Sequence, residues 1–215
     1  MPFQKEYWER KTLEKRRSPP HPVIKEYVIP KINEIRKIVP INKETKLLDV
    51  GAGNGFFSYY FDGICDTTAV DYSEKMIKLN PIKQKFVMDA NHLEFKDDSF
   101  DVVFCNNLLH HVEDIKNALN EMKRVSKKYI VIIEPNRNNP LIFLFSMAVK
   151  EERKALKFTL PYLEKLIAAN GLKIKSSFSF GMITPNKTPK CLLSLLRLYS
   201  FKNRLGMFNI VIGEK

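Results

Sequence analysis

The sequence is poor in the features that staple a chain, anchor it or carry it across a membrane. Its three cysteines, Cys65, Cys105 and Cys191, are odd in number and far apart, which excludes a disulfide framework and the close spacing of a zinc site and suits a reducing compartment. Four histidines, His21, His92, His110 and His111, show no metal-site spacing, and two adjacent rings are poorly arranged to share one ion. No metal is expected. The N-terminus, Met1-Pro2-Phe3-Gln4-Lys5-Glu6, lacks the apolar stretch of a secretory signal. The most apolar run, residues 141–149, is far below the roughly 20 residues that cross a bilayer. There is no internal repeat or low-complexity tract. These absences leave a cytoplasmic globular protein as the expectation.

What is present fits one α/β domain over residues 1–215, since about 100 to 200 residues per domain is usual. Hydrophobic residues make up 44% and charged residues 28%, close to globular averages. The net charge of +12 is unevenly placed: +6 over residues 1–46, −3 over 47–145 and +9 over 146–215. The basic character belongs to the two ends.

Residues 46–50 are a short apolar run stopped by alternating glycines, the pattern of a buried strand ending in a tight turn. A helix is expected to start at 56–61, a second strand at 66–71 ending on Asp71, and a short helix capped by Ser73 and stopped by Pro81. Strands follow at 85–88, 101–105 and 129–133, nearly continuous in apolar residues as parallel strands covered on both faces should be. The stretch 114–125 has helical periodicity between the last two of these. This alternation predicts an open, mostly parallel sheet with helices on both faces. Beyond it, a helix from Thr159 to the stop at Asn170-Gly171, strands at 172–180 and 208–212, and a short basic apolar helix at 191–199 complete the reading. The first 40 residues stand outside the alternation, with a helical stretch at 23–39 interrupted by Pro30. They are expected to cover the open edge of the sheet. The division is then 1–45 as helical cover, 46–135 as core, and 136–215 as substrate-side elements and final strands.

Gly51-Ala52-Gly53-Asn54-Gly55 follows a strand and precedes a helix, so the backbone there can approach a ligand closely. Asp71 ends the next strand about 20 residues on, where an acid bonds ribose hydroxyls. A glycine turn alone is a weak signal for any nucleotide. Two features discriminate: the glycines read GxGxG rather than GxGxxG, and Asp49 lies just before the turn. An acid there would repel a pyrophosphate and attract the ammonium and sulfonium of S-adenosylmethionine.

Leu48-Asp49-Val50-Gly51-Ala52-Gly53-Asn54-Gly55 resembles the first motif of class I S-adenosylmethionine-dependent methyltransferases. Val70-Asp71-Tyr72-Ser73-Glu74-Lys75-Met76 resembles the second motif, and Asp89-Ala90-Asn91-His92-Leu93-Glu94-Phe95 the third. Asp98-Ser99-Phe100-Asp101-Val102-Val103 running into Leu108-Leu109-His110-His111-Val112 resembles the fourth, as in the small-molecule type 11 branch. The motifs occur in the family's order over residues 47–134. The resemblance implies a Rossmann-like, seven-stranded, mostly parallel sheet. It also implies a methyl transfer that consumes S-adenosylmethionine and leaves S-adenosylhomocysteine. Asp49, Gly51, Ala52, Gly53 and Gly55 are implied to face the methionine part, Asp71 the ribose hydroxyls, and Asp89 and the Ala90 backbone the adenine, with Tyr72 and Met76 also in the cofactor site. Asn106 and Asn107 would lie where the methyl is transferred. For Asp89 a solvated loop acid is the alternative.

On the acceptor side, His111 is the candidate general base, because imidazole titrates near neutrality; packing or capping is the other reading of the His110-His111 pair. Arg17 with Arg16 beside it, His21, His110, and Asn136 with Glu134 at the same strand end are candidates to meet the acceptor, set against solvated charge or loop hydrogen bonding. The Asn-Pro-Pro-Tyr sequence of amino-methylating nucleic-acid enzymes is absent. A small anionic, lipid-like or glycan-related acceptor suits the basic ends, which are also compatible with contact at a membrane surface, with the 191–199 helix touching an acyl part or simply packing on the sheet. Methylation of RNA bound by the basic C-terminal segment and a silent cofactor-binding accessory protein remain as alternatives.

Overall fold

The computed structural model describes residues 16–215; the first fifteen residues of the expected 1–45 cover lie outside them. Seven strands form one sheet: β1 (Lys46–Val50), β2 (Asp66–Asp71), β3 (Lys85–Val87), β4 (Phe100–Asn106), β5 (Ser126–Pro135), β6 (Lys173–Phe180) and β7 (Phe208–Glu214), in the order β3-β2-β1-β4-β5-β7-β6. The pairings from β3 through β5 are parallel, while β7 runs antiparallel to both β5 and β6. The order reverses at β1, so β1 and β4 leave a crevice at their carboxyl ends, where open α/β sheets take their ligands.

The helices are α1 (Pro22–Arg36), α2 (Ser58–Asp62), α3 (Glu74–Lys78), α4 (Ile115–Val125), α5 (Pro140–Ala148), α6 (Leu160–Ala169) and α7 (Leu193–Leu196). Their starts are encoded locally: Ser73 caps α3, Asp114 caps α4 and Thr159 caps α6, each accepting from a backbone amide in the first turn. On one sheet face α4 and α6 bury Leu119, Met122, Leu163 and Ile167 against Val103, Ile130, Ile132 and Val211. On the other, α1 and α2 bury Ile24, Tyr27, Ile35 and Phe61 against Leu47, Phe104, Val131 and Ile210.

Three expectations change here. The described part of the N-terminal segment, α1, covers a face of the sheet, not its edge, because its apolar residues repeat at helical spacing and bury against the strands. Pro30 lies inside α1 without ending it; packing of Val23, Tyr27, Val28 and Ile32 outweighs the one hydrogen bond a proline removes. The 191–199 helix is broken into α7 between two 3-10 turns. The apolar run at 141–149, unassigned from sequence, is mostly α5. Among the described residues no helix is long and apolar enough to cross a membrane.

Candidate active site

The carboxyl ends of β1, β2 and β4 open into one cavity of about 960 Å³, which continues between α1's N-terminal approach, α5 and the 182–196 segment. Its inner end is built by the glycine turn. Gly51 and Gly55 hold φ of +71° and +85°, and a Cβ would meet Leu108 Cδ1 at 2.7 Å and Asn80 Oδ1 at 2.5 Å respectively. Only glycine fits both the backbone and the space. Gly51, Ala52 and Gly53 line the cavity, whereas Gly55 packs backward onto Asn80.

Asp71, at the end of β2, fixes the turn: the Gly53 amide donates to Oδ2 at 2.7 Å and the Ser73 amide to Oδ1 at 2.8 Å. Burial raises its pKa against those two hydrogen bonds and the Arg16 charge. Asp49 lies deeper and accepts from Ser58 Oγ at 2.6 Å. Burial pushes its carboxyl up to about 7, with the Asp71 charge adding to the rise. Tyr72, Met76, Asp89 and Ala90 also line the cavity. The amide and side chain of Asn91 donate to Asp89 Oδ1 at 2.8 and 3.2 Å. Asn91 itself lines the wall, with its Oδ1 buried and lacking a hydrogen-bond partner.

The outer half is organised around Glu134, at the end of β5 and fully buried. Its Oε1 accepts from the Leu108 and Leu109 amides at 2.9 and 2.7 Å, and its Oε2 meets His110 Nδ1 at 2.5 Å. The other ring nitrogen of His110 lies 3.3 Å from Glu152. Burial alone would depress the His110 pKa, but the Glu134 charge and hydrogen bond, with Glu152, raise it to about 9. The imidazolium therefore persists at neutral pH. His111 is the opposite case: burial, then the charges of His110, Lys154 and Arg16, hold it well below the usual histidine range. The adjacent histidines do converge, contrary to the spacing argument, because the 3-10 turn Leu109–His111 bends their rings toward Glu152; ligand atoms of His110, His111 and Glu152 lie within 4.8 Å of one another.

Asn106 lines the cavity, but its Oδ1 accepts from the buried Tyr27 hydroxyl at 3.0 Å, tying β4 to α1. Asn107 adopts φ +52° at the strand end, and its Oδ1 is buried without a partner on the same wall. Such a conformation in a non-glycine residue is strained and clusters at ligand sites. Three acceptor-side candidates stand elsewhere. Arg17 donates from Nη1 to Pro185 O at 2.9 Å, clamping the segment before β7, and the neighbouring Arg16 faces the cavity instead. His21 caps α1, its Nδ1 accepting from the Val23 amide. Asn136 is buried and donates to Gly206 O and Arg204 O. The sequence reading put Asn107 and Glu134 at strand ends facing the site, gave Asn91 no role beyond its motif, and missed Glu152. Asn91 and Glu134 sit in or beside the quoted motifs, whereas Glu152 reaches the site only through the fold.

Residues 48–132 match the model of a type 11 methyltransferase domain. An uncharacterized protein of Methanocaldococcus jannaschii is 36% identical over 112 residues, 50% of this chain and 49% of that protein. A demethylmenaquinone methyltransferase of Staphylococcus aureus is 31% identical over 147 residues, 62% of this chain and 59% of that enzyme. The chain thus spans about half the length of the curated relatives it matches. The magnesium protoporphyrin IX methyltransferase of Synechocystis, solved with SAH bound, shares the fold with a TM-score of 0.63 at 15% identity, over 90% of this chain and 84% of that one. The quoted motifs, the strand order and the matched model agree: residues 48–132 carry a type 11 methyltransferase domain, set in a seven-stranded, mostly parallel sheet of the Rossmann-like class I kind.

Proposed function

We propose that this chain transfers the methyl group of S-adenosylmethionine to an anionic oxygen of a small amphiphilic acceptor. The observation that carries the reading is the one continuous cavity joining the Asp49, Gly53 and Asp71 end to the His110 and His111 end and then to an apolar mouth at Leu141, Phe145 and Leu192. In this reading residues 46–135 hold the cofactor, while residues 16–45 and 136–215 build the acceptor side.

The residues present fit the cofactor. The carboxylate of Asp71 receives one amide on each oxygen and keeps lone pairs for two ribose hydroxyls. Asp49 is a buried acid suited to an ammonium, and the unpartnered Asn91 Oδ1 is an acceptor suited to the adenine amino group. When bound, the cofactor supplies an electrophilic methyl carbon on a sulfonium. The chain's task is alignment and exclusion of water. Arg16 and the Asn106-Asn107 strand end border the space between the two halves. Glu134 holds His110 charged and in place, and that charge, with Lys154 and Arg16, keeps His111 neutral. A potential that repels a proton from His111 attracts an acceptor oxyanion. His111 then serves as the cavity group that hydrogen-bonds the acceptor, and takes a proton only from an acidic hydroxyl such as a phenol or carboxyl.

Incubating the purified chain with methyl-labelled S-adenosylmethionine and cell extract, then separating lipid, small-molecule, protein and RNA pools, tests this. Label in the lipid or small-molecule pool is expected. Label in the RNA pool, or cofactor binding with no label anywhere, would contradict it.

A further inference from the structure

The mouth of the cavity is framed by two apolar segments that no described residue covers. In α5 only Ile142 and Ser146 are buried, and Leu141, Leu144, Phe145 and Met147 are exposed, Leu144 to 62%. A helix apolar all round is normally enclosed. Across the mouth, Leu195, Leu198, Tyr199, Phe201 and Leu205 are also exposed, Leu198 to 70%. The two segments belong to one surface, because Leu141 and Phe145 from the first and Leu192 and Leu196 from the second line the same cavity. Contiguous exposed apolar surface of this kind marks an interaction site.

Charge identifies the partner. Residues 181–213 contain no aspartate or glutamate but five bases, Lys187, Lys190, Arg197, Lys202 and Arg204. Among the described residues only Lys202 of these meets a carboxylate, that of Glu34. Protein interfaces are depleted in lysine and place charge outside their apolar core. Leucines and aromatic rings interleaved with unpaired bases are the composition of a surface that lies in the headgroup layer of a bilayer. We infer that the lip formed by α5 and residues 190–205 docks on anionic lipid bilayers, placing the cavity mouth against the membrane. If the methyl-transfer reading holds, on which this last step rests, the acceptor is an amphiphile whose apolar tail stays in the bilayer while its anionic head enters the cavity.

Cosedimentation of the full chain with phosphatidylcholine vesicles, with and without phosphatidylglycerol, tests the docking. Binding is expected on the anionic vesicles only and should weaken steeply with salt. The double variant Leu195→Asp and Leu198→Asp should abolish it, and Lys190→Gln or Arg197→Gln should each lower it about five-fold. Calorimetry with S-adenosylmethionine in the absence of vesicles should give the same affinity for all variants, which separates docking from cofactor binding and from misfolding. No binding to either vesicle, equal binding to both, or unchanged binding by the double variant would overturn the inference. So would a dimer in sedimentation equilibrium that the double variant dissociates, since a second copy would then own the surface.

Discussion

His110 Nδ1 and Glu134 Oε2 meet at 2.5 Å with both side chains buried, and the remaining Glu134 oxygen holds the Leu108 and Leu109 amides. One carboxylate thus sets both the charge of a ring and the path of the backbone that carries it. His110 has a folded pKa of about 9 against an ordinary 6.5, so its contribution to stability is complete below pH 6.5 and is lost as pH rises through 9. Glu134→Gln keeps an acceptor for the amides but removes the charge. It should cost about 3 to 5 kcal/mol and flatten the decline in stability between pH 6.5 and 9, measured by urea unfolding across that range.

His111 lines the cavity with its ring centroid 3.9 Å from that of His110. His111→Gln should leave cofactor affinity unchanged and lower turnover at saturating cofactor by about 10- to 100-fold, the loss of a hydrogen bond to a charged acceptor. Unchanged turnover would remove this residue from the mechanism.

Asp49 has its pKa pushed up to about 7 by burial. A bound ammonium favours the carboxylate, so affinity for S-adenosylmethionine should rise with pH through about 7 and binding should release a proton. Calorimetry in buffers of different ionisation enthalpy reads that proton. For the free protein the sign is reversed: a folded pKa raised above 3.8 means stability falls as pH rises from about 4 to 7. Asp49→Asn should therefore weaken cofactor binding, abolish its pH dependence and stabilise the free chain at pH 7.5, the trade expected at a functional site.

The core was legible in the sequence because its signals are local. The glycine turn, the Ser73, Asp114 and Thr159 caps and the apolar runs of β1, β2, β4 and β5 each depend on neighbours within a few residues. The cavity lining was legible where its residues fall at strand ends, as Asp49 and Asp71 do, or in a quoted motif, as His111 does. It was not legible where long-range contacts decide. Arg16 and Arg17 are equivalent in sequence, yet the bond from Arg17 to Pro185 O turns one toward the 182–190 segment and leaves the other at the cavity. Glu152 lies in an irregular 3-10 stretch with no motif and reaches His110 only because that stretch packs against the Leu109–His111 turn. Asn136 follows a strand end as the cavity-lining residues do, but the 204–206 turn takes its side chain.

The central claim is that Asp71 and the glycine turn hold the ribose of the cofactor. Isothermal titration of the chain with S-adenosylmethionine, alongside Asp71→Ala, tests it most directly. The wild-type chain should bind both S-adenosylmethionine and its demethylated product, and Asp71→Ala should weaken both by about 10- to 100-fold, the loss of hydrogen bonds to a charged group. An affinity left intact by Asp71→Ala, in a variant whose unfolding remains cooperative, would contradict the placement of the cofactor.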